Sequence, residues 1–200
     1  MTDAIQYAAA AHGSQVRKGT EIPYLSHLLS VAALTMEFGG SAQQCQAAAL
    51  HDVVEDCGAE HLDVIAERFG ADVAAMVSAL SDATPLAGEA KPPWSERKTA
   101  YLDHLASLVA EQHPAVLVSA CDKLHNAESI IADATDPGGD PGLEIFARFH
   151  ASPAQTAWYY TELARALLPA AYLPERLRAR LATATSSVDR LARTAASMAQ

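Results

Sequence analysis

Apolar residues in this chain return every three or four positions through nearly its whole length, and no stretch alternates apolar with polar residues. The first spacing lines one face of a helix, whereas strict alternation would line one face of a strand, so the pattern predicts an all-α protein. An alanine-rich helix is predicted over residues 3–13 and a second over 26–38, with Ser26 as its N-terminal cap. Gly39-Gly40-Ser41 breaks the chain and caps a third helix over 42–56. Residues 62–69 show helical apolar spacing that stops at Gly70, and 72–82 continue as helix. Pro85, Gly88, Pro92 and Pro93 make 83–93 a mobile loop. Helices resume over 94–112 and 114–134, Pro114 being suited to a helix start. The cluster Asp136-Pro137-Gly138-Gly139-Asp140-Pro141-Gly142 breaks the chain again, and the last helices span 143–151, 153–168 and 174–198. The expected architecture is one compact bundle of about eight to ten helices.

Two hundred residues at 50% hydrophobic content can bury one substantial core. Residues 1–170 are read as that domain and 171–200 as a helical extension packed on it. In the extension, Leu173, Leu177, Leu181, Val188 and Leu191 are interleaved with Arg176, Arg178, Arg180, Arg190 and Arg193. That pattern suits a helix with one face on the protein body better than a membrane anchor. No apolar run approaches the ~20 residues needed to cross a bilayer, and Met1-Thr2-Asp3-Ala4 lacks the basic-then-apolar pattern of a secretion signal. Cys45, Cys57 and Cys121 are isolated and odd in number, which fits neither a disulfide framework nor a CxxC site. A reducing, cytoplasmic setting is expected. The net charge of −10 disfavours a nucleic-acid surface, while a local Arg/Lys cluster could still receive a small anionic substrate.

The chemistry is concentrated where charge falls into apolar helix. Ala47-Ala48-Ala49-Leu50-His51-Asp52-Val53-Val54-Glu55-Asp56 sets four ionisable groups in an alanine-rich run, which is costly unless they are paired or bind a metal. On a helix Glu55 lies one turn beyond His51 and Asp52, and Asp56 one turn beyond Asp52. His51 and Asp52 could grip one ion from two sides. His27, in Pro23-Tyr24-Leu25-Ser26-His27, and Asp122, in Val118-Ser119-Ala120-Cys121-Asp122-Lys123, are candidates to complete the ligand set. Asp122 could alternatively pair with Lys123 or a nearby arginine. Two imidazoles and two carboxylates suit one Mn²⁺, with Fe²⁺, Zn²⁺ and Mg²⁺ as competitors. Such an ion makes a bound water acidic enough to supply hydroxide near neutral pH. Glu55 would orient or deprotonate that water and Asp56 would assist. His12, His61, His104, His113 and His150 have no comparable setting and read as surface or core residues, and His125 is ambiguous.

Three motifs in order, Arg17-Lys18-Gly19-Thr20-Glu21-Ile22-Pro23-Tyr24-Leu25-Ser26-His27, His51-Asp52-Val53-Val54-Glu55-Asp56 and Asp122-Lys123-Leu124-His125-Asn126, resemble the HD-superfamily hydrolase domain of RelA/SpoT proteins. The likeness is greatest to the free-standing small alarmone hydrolases, and Arg148-Phe149-His150 and Trp158-Tyr159-Tyr160 extend it toward residue 170. It implies an HD-domain fold, an Mn²⁺ site of His27, His51, Asp52 and Asp122, and action of Glu55 and Asp56 on the attacking water. The implied reaction is hydrolysis of the 3′-pyrophosphate of ppGpp or pppGpp to GDP or GTP and pyrophosphate. Arg17 would stack on the base, a role for which a planar guanidinium is suited and lysine is not. Lys18 would lie near phosphate, Tyr24 would shape the pocket wall, and Asn126 and Ser129 would touch the nucleoside. Gly19 stands where family members often carry a small polar or acidic residue. Trp94-Ser95-Glu96-Arg97-Lys98 could bring further cations to phosphate or simply begin a helix, and loop 83–93 could act as a lid. Alternatives are an HD phosphatase or nucleotidase acting on an adenine alarmone, NADPH or a nucleoside monophosphate, and a non-catalytic nucleotide-binding HD module.

Overall fold

The computed structural model describes residues 1–81, 92–135 and 143–198. Most of the predicted loop 83–93, with the lid reading attached to it, and the breaker cluster 136–142 lie outside the described residues. Among the described residues there are ten α-helices, one 3₁₀ segment and no strand. In chain order the helices are α1 (Thr2–His12), α2 (Leu25–Glu37), α3 (Ala42–Leu50), α4 (Val53–Cys57), α5 (His61–Phe69), α6 (Ala71–Leu80), α7 (Trp94–Ala110), α8 (Ala115–Thr135), α9 (Pro153–Leu167) and α10 (Glu175–Met198). The all-α expectation holds. No helix is long and apolar enough to cross a membrane among the described residues.

Three boundaries differ from the pattern, each for a local reason. The predicted helix 42–56 divides at His51-Asp52 into α3 and α4. His51 Nδ1 donates to the Ala48 carbonyl at 2.8 Å, satisfying an acceptor that the ending helix would otherwise leave open. Helix α2 starts at Leu25, and Tyr24 rather than Ser26 holds the cap position. The first N–H groups, of Ser26 and His27, bond instead to the Pro23 and Tyr24 carbonyls at 3.0 and 2.9 Å, a tight first turn that needs no hydroxyl cap. The predicted helix 143–151 is a 3₁₀ segment over Leu143–Arg148; Ser152 then caps α9 with Pro153 at its first position, and the residue before a proline is driven out of helix.

The chain divides into two compact units, residues 1–91 with 113–122 and residues 92–112 with 123–200. In the first, α1 packs on α2, α3 and α4, while α3 packs on α2 and α6. Small side chains on the inner faces allow that closeness: Ala4 and Ala8 of α1 and Ala47, Ala48 and Ala49 of α3 are all buried. Leu28, Leu50 and Ile65 fill the remaining space and are almost completely buried, each contributing about 1.5–3 kcal/mol of transfer free energy. The α2–α3 corner requires glycine, since a Cβ on Gly40 would meet Thr35 Cγ2 at 2.6 Å. Ser41 and Gln44 form the expected cap reciprocally, and the Gln44 amide also donates to the Pro114 carbonyl at 2.8 Å. This bond ties the start of α3 to the segment that leads into α8. The first residues of α8, Ala115 to Cys121, are buried with Asp122.

In the second unit α9 packs on α10 and α7, and α10 also contacts the 3₁₀ segment. Leu163 and Leu167 of α9 and Leu177, Leu181 and Val188 of α10 form its core. The arginines interleaved in α10 stay at its surface, where Arg180 reaches Glu128 at 2.8 Å and Arg193 reaches Asp189 at 2.9 Å.

Candidate functional site

The site is assembled from four pieces of the first unit. The segment between α1 and α2 folds back on itself through an isolated bridge between Val16 and Pro23. The Arg17 N–H donates to Ile22 at 2.8 Å, and the Tyr24 N–H donates to Gln15 at 2.8 Å. Its tip is a turn in which the Thr20 N–H bonds the Arg17 carbonyl at 3.0 Å. Gly19 sits inside that turn at φ +71°, a conformation that glycine adopts freely and other residues do not. Arg17 and Lys18 stand beside it at the turn, Arg17 half-buried and Lys18 exposed.

Tyr24 closes the segment and points into the protein. Its hydroxyl donates to Asp52 Oδ2 at 2.6 Å, and its ring meets the His27 ring edge-on with centroids 5.5 Å apart. Burial first, and then the Asp52 and Asp56 charges, push the Tyr24 phenol far above its usual range. It therefore remains a donor at any physiological pH.

His27 from α2, His51 and Asp52 from the α3–α4 junction and Asp122 from α8 meet at one place. His27 Nε2 lies 3.2 Å from Asp122 Oδ1 and 3.5 Å from Asp52 Oδ2. His51 Nε2 lies 3.0 Å from Asp52 Oδ2 and 3.7 Å from Asp122 Oδ1. The donor atoms of His27, His51 and Asp122 all fall within 4.8 Å of one another, and those three residues are buried. Four atoms about 2.1 Å from one cation, at tetrahedral or octahedral angles, would stand about 3.0–3.5 Å apart, close to the spacing found.

The donor chemistry makes the same point. Because His51 spends its Nδ1–H on Ala48, its Nε2 is the atom left to hold either a metal or a second proton. That nitrogen is buried, with carboxylate oxygens of Asp52 and Asp122 3.0 and 3.7 Å from it. A lone pair facing two anionic oxygens is repulsive unless a cation or a proton sits between them. Burial alone would depress His51, but the Asp52 charge, hydrogen bonds with Asp122 and Asp52, and the Asp122 charge raise it well above the usual imidazole range. Burial alone would raise Asp52, but the His51 charge and hydrogen bonds with His27 and His51 hold it well below the usual carboxylate range. The pocket demands positive charge at its centre, and two neutral imidazoles with two carboxylates balance a divalent ion.

The other expected residues fall into two sets. Glu55, half-buried, and Asp56, exposed, are on the short helix α4 just past the cluster. Asn126 and Ser129 follow Asp122 along α8 in the second unit, where the Ser129 hydroxyl donates to the His125 carbonyl at 2.9 Å. Trp94 does begin a helix, α7. The Lys98 ammonium lies 5.5 Å from the Tyr101 ring centre and 5.6 Å from that of Tyr159, within cation–π range.

Two residues beside the site were not assigned to it from the sequence, His12 having been read as a surface or core residue and Gln15 not singled out. His12 is buried and stacked on Tyr24, with centroids 5.0 Å apart and planes 21° from parallel. Gln15 bridges His12 to Asp56. Their only signal was the i, i+3 spacing at the end of a helix, which nothing distinguishes from ordinary surface polarity.

An all-α protein gathering two histidines and two aspartates from separate segments belongs to the helical proteins that carry a candidate divalent-metal cluster. The chain matches the HD domain family over residues 4–155 and belongs to that family. A guanosine-3′,5′-bis(diphosphate) 3′-pyrophosphohydrolase of Aquifex aeolicus (strain VF5) is 32% identical over 127 residues, which is 64% of this chain and 17% of that one. A probable chloroplastic GTP diphosphokinase of Oryza sativa subsp. japonica is 33% identical over 127 residues, 62% of this chain and 17% of its own length. The chain therefore spans under a fifth of the length of these curated relatives. Among solved structures, a metazoan ortholog of SpoT that hydrolyzes ppGpp superposes with a TM-score of 0.70 at 23% identity, covering 93% of each chain. At that identity the likeness is one of fold.

Proposed function

We propose that this chain is a metal-dependent pyrophosphohydrolase that removes the 3′-pyrophosphate from guanosine alarmones, ppGpp or pppGpp, to give GDP or GTP and pyrophosphate. The observation that carries the proposal is the convergence of His27, His51, Asp52 and Asp122 on one buried point inside an HD domain. The alarmone, rather than another phosphate ester, is favoured by the Arg17-Lys18 turn next to the Tyr24–Asp52 bond and by a relative described as a 3′-pyrophosphohydrolase. Residues 1–170 would form the hydrolase domain and residues 171–200 its helical extension.

His27, His51, Asp52 and Asp122 would hold one Mn²⁺, which would act as a Lewis acid and make water at the site more acidic. Glu55 accepts a proton from the attacking water, and Asp56 helps to orient it. Water adds to the phosphorus bonded to O3′, the P–O3′ bond breaks, and a proton goes to the departing O3′. Arg17 lies against the guanine face, where a flat guanidinium stacks well. Lys18 neutralises phosphate charge from the exposed turn, Tyr24 walls the pocket, and Asn126 and Ser129 contact the nucleoside. The substrate carries several negative charges into a chain of net charge −10, so these few cations and the metal would do most of the attracting.

Incubating the pure protein with Mn²⁺ and a panel of ppGpp, an adenine alarmone, NADPH and nucleoside monophosphates tests the reading. Pyrophosphate released from ppGpp in preference to the others supports it. Orthophosphate from monophosphates or NADPH replaces it with a phosphatase, and binding without product replaces it with a nucleotide-binding module.

A further inference from the structure

The bridging residue Gln15 is held at each of its polar groups. Its N–H bonds the His12 carbonyl at 2.9 Å, and its carbonyl accepts from Tyr24 at 2.8 Å. In the side chain, Oε1 lies 2.8 Å from His12 Nδ1 and Nε2 donates to Asp56 Oδ2 at 2.9 Å. The Asp56 carboxylate can only accept, so Gln15 turns its NH₂ toward Asp56 and its oxygen toward His12, whose Nδ1 therefore carries the proton. The same tautomer leaves His12 Nε2 as a bare acceptor, and that atom is buried without a hydrogen-bond partner among the described residues. Tyr24 lies flat on the imidazole and prevents it from turning over.

The segment thus reaches the α3–α4 junction by two arms. One is the Tyr24 hydroxyl on Asp52. The other is the Gln15 amide on Asp56, whose own N–H bonds the Asp52 carbonyl at 2.9 Å. An exposed aspartate on a one-turn helix would otherwise sample several rotamers, and a carboxylate that must meet a water at a fixed angle cannot afford that freedom.

We propose that Gln15, oriented by the His12 Nδ1–H, is a positioning residue that fixes the Asp56 carboxylate for turnover. The proposal rests on the reading of Asp56 as a working carboxylate. Gln15 occupies Oδ2 and leaves Oδ1 to face water or the departing O3′. His12 acts one step further out by choosing which end of the Gln15 amide points inward.

The ordering of three variants separates this role from simple packing. Gln15→Glu keeps the shape and the bond to His12 but sets an anionic oxygen against Asp56. Gln15→Ala merely leaves Asp56 free. The expected kcat falls about 10-fold in Q15A and further in Q15E, with KM and Mn²⁺ affinity little changed. If Gln15 served only packing, Q15E would be the milder of the two. His12→Asn retains an N–H near the Nδ1 position and is expected to restore most of the rate lost in His12→Ala. Asp56→Asn distinguishes the underlying reading from the proposal. If D56N alone keeps its rate, the role of Asp56 fails and the proposal with it. If D56N is slow and Q15A costs a further 10-fold on top of it, the two residues act independently and only the proposal fails. A crystal structure of Q15E in which Asp56 keeps its rotamer would overturn it whatever the substrate.

Discussion

The Tyr24 hydroxyl and Asp52 Oδ2 are 2.6 Å apart, and that same carboxylate oxygen lies 3.0 Å from His51 Nε2 and 3.5 Å from His27 Nε2. One oxygen therefore meets an O–H on one side and two imidazole nitrogens on the other. A phenol kept protonated by burial and by neighbouring carboxylates fixes the direction in which the remaining lone pair points. Tyr24→Phe is expected to keep the fold and weaken Mn²⁺ binding about 10–100-fold, as loss of an outer hydrogen bond to a metal ligand generally does. Calorimetric titration of the metal-free protein with Mn²⁺ measures this directly; an unchanged affinity would remove Tyr24 from the site.

Asp122 and Glu55 should part ways when mutated. Asp122→Ala removes one of the four converging donors, so metal content and turnover are expected to vanish together. Glu55→Ala should retain the metal and lower turnover about 100-fold or more, the usual cost of a lost general base. Metal analysis and pyrophosphate release on the same preparations decide it. Near-normal turnover in E55A would end the role given to that residue.

Proton and metal compete for the same lone pair. In the metal-free protein His51 is raised, so its pairing with the carboxylates stabilises the fold fully below its ordinary value and is lost as pH rises through the raised one. Asp52 is depressed, so its contribution is present above the ordinary carboxylate range and is lost as pH falls through the lowered value. Metal uptake must expel the His51 proton. The rise in Tm produced by Mn²⁺ is expected to be larger at about pH 8 than at about pH 6, with about one proton released per ion. Melting curves at the two pH values, and titrations in buffers of differing ionisation enthalpy, test this. A pH-independent shift would contradict the account of His51.

Gly19 offers a test of the turn that carries Arg17 and Lys18. At φ +71°, Gly19→Ala is expected to cost about 1–2 kcal/mol of backbone strain. If those cations bind substrate, KM should rise more than kcat falls. A melt combined with steady-state kinetics reads both, and a kcat loss at constant KM would place the turn away from substrate binding.

Much of this architecture was written in short-range patterns. Helical apolar spacing marked nearly every element, and Gly39-Gly40-Ser41 signalled a corner whose glycine contacts and reciprocal Ser41–Gln44 cap are both present. The convergence of His27, His51, Asp52 and Asp122 could be suspected because charge inside apolar helix demands a partner. Spacing alone could not show that residues so far apart in sequence would meet. The break at His51 was hidden because a side chain, rather than a glycine or proline, ends the helix by taking the Ala48 carbonyl. His12 and Gln15 were hidden for a related reason. Their importance lies in which atom of an imidazole carries a proton and which way an amide faces, and neither is a property of residue type.

The most direct test is anomalous diffraction at the manganese edge from crystals grown with excess Mn²⁺. A single strong peak within about 2.0–2.3 Å of His27 Nε2, His51 Nε2, Asp52 Oδ2 and Asp122 Oδ1 is the predicted result. A well-occupied ion elsewhere, or none with those side chains turned apart, would contradict it.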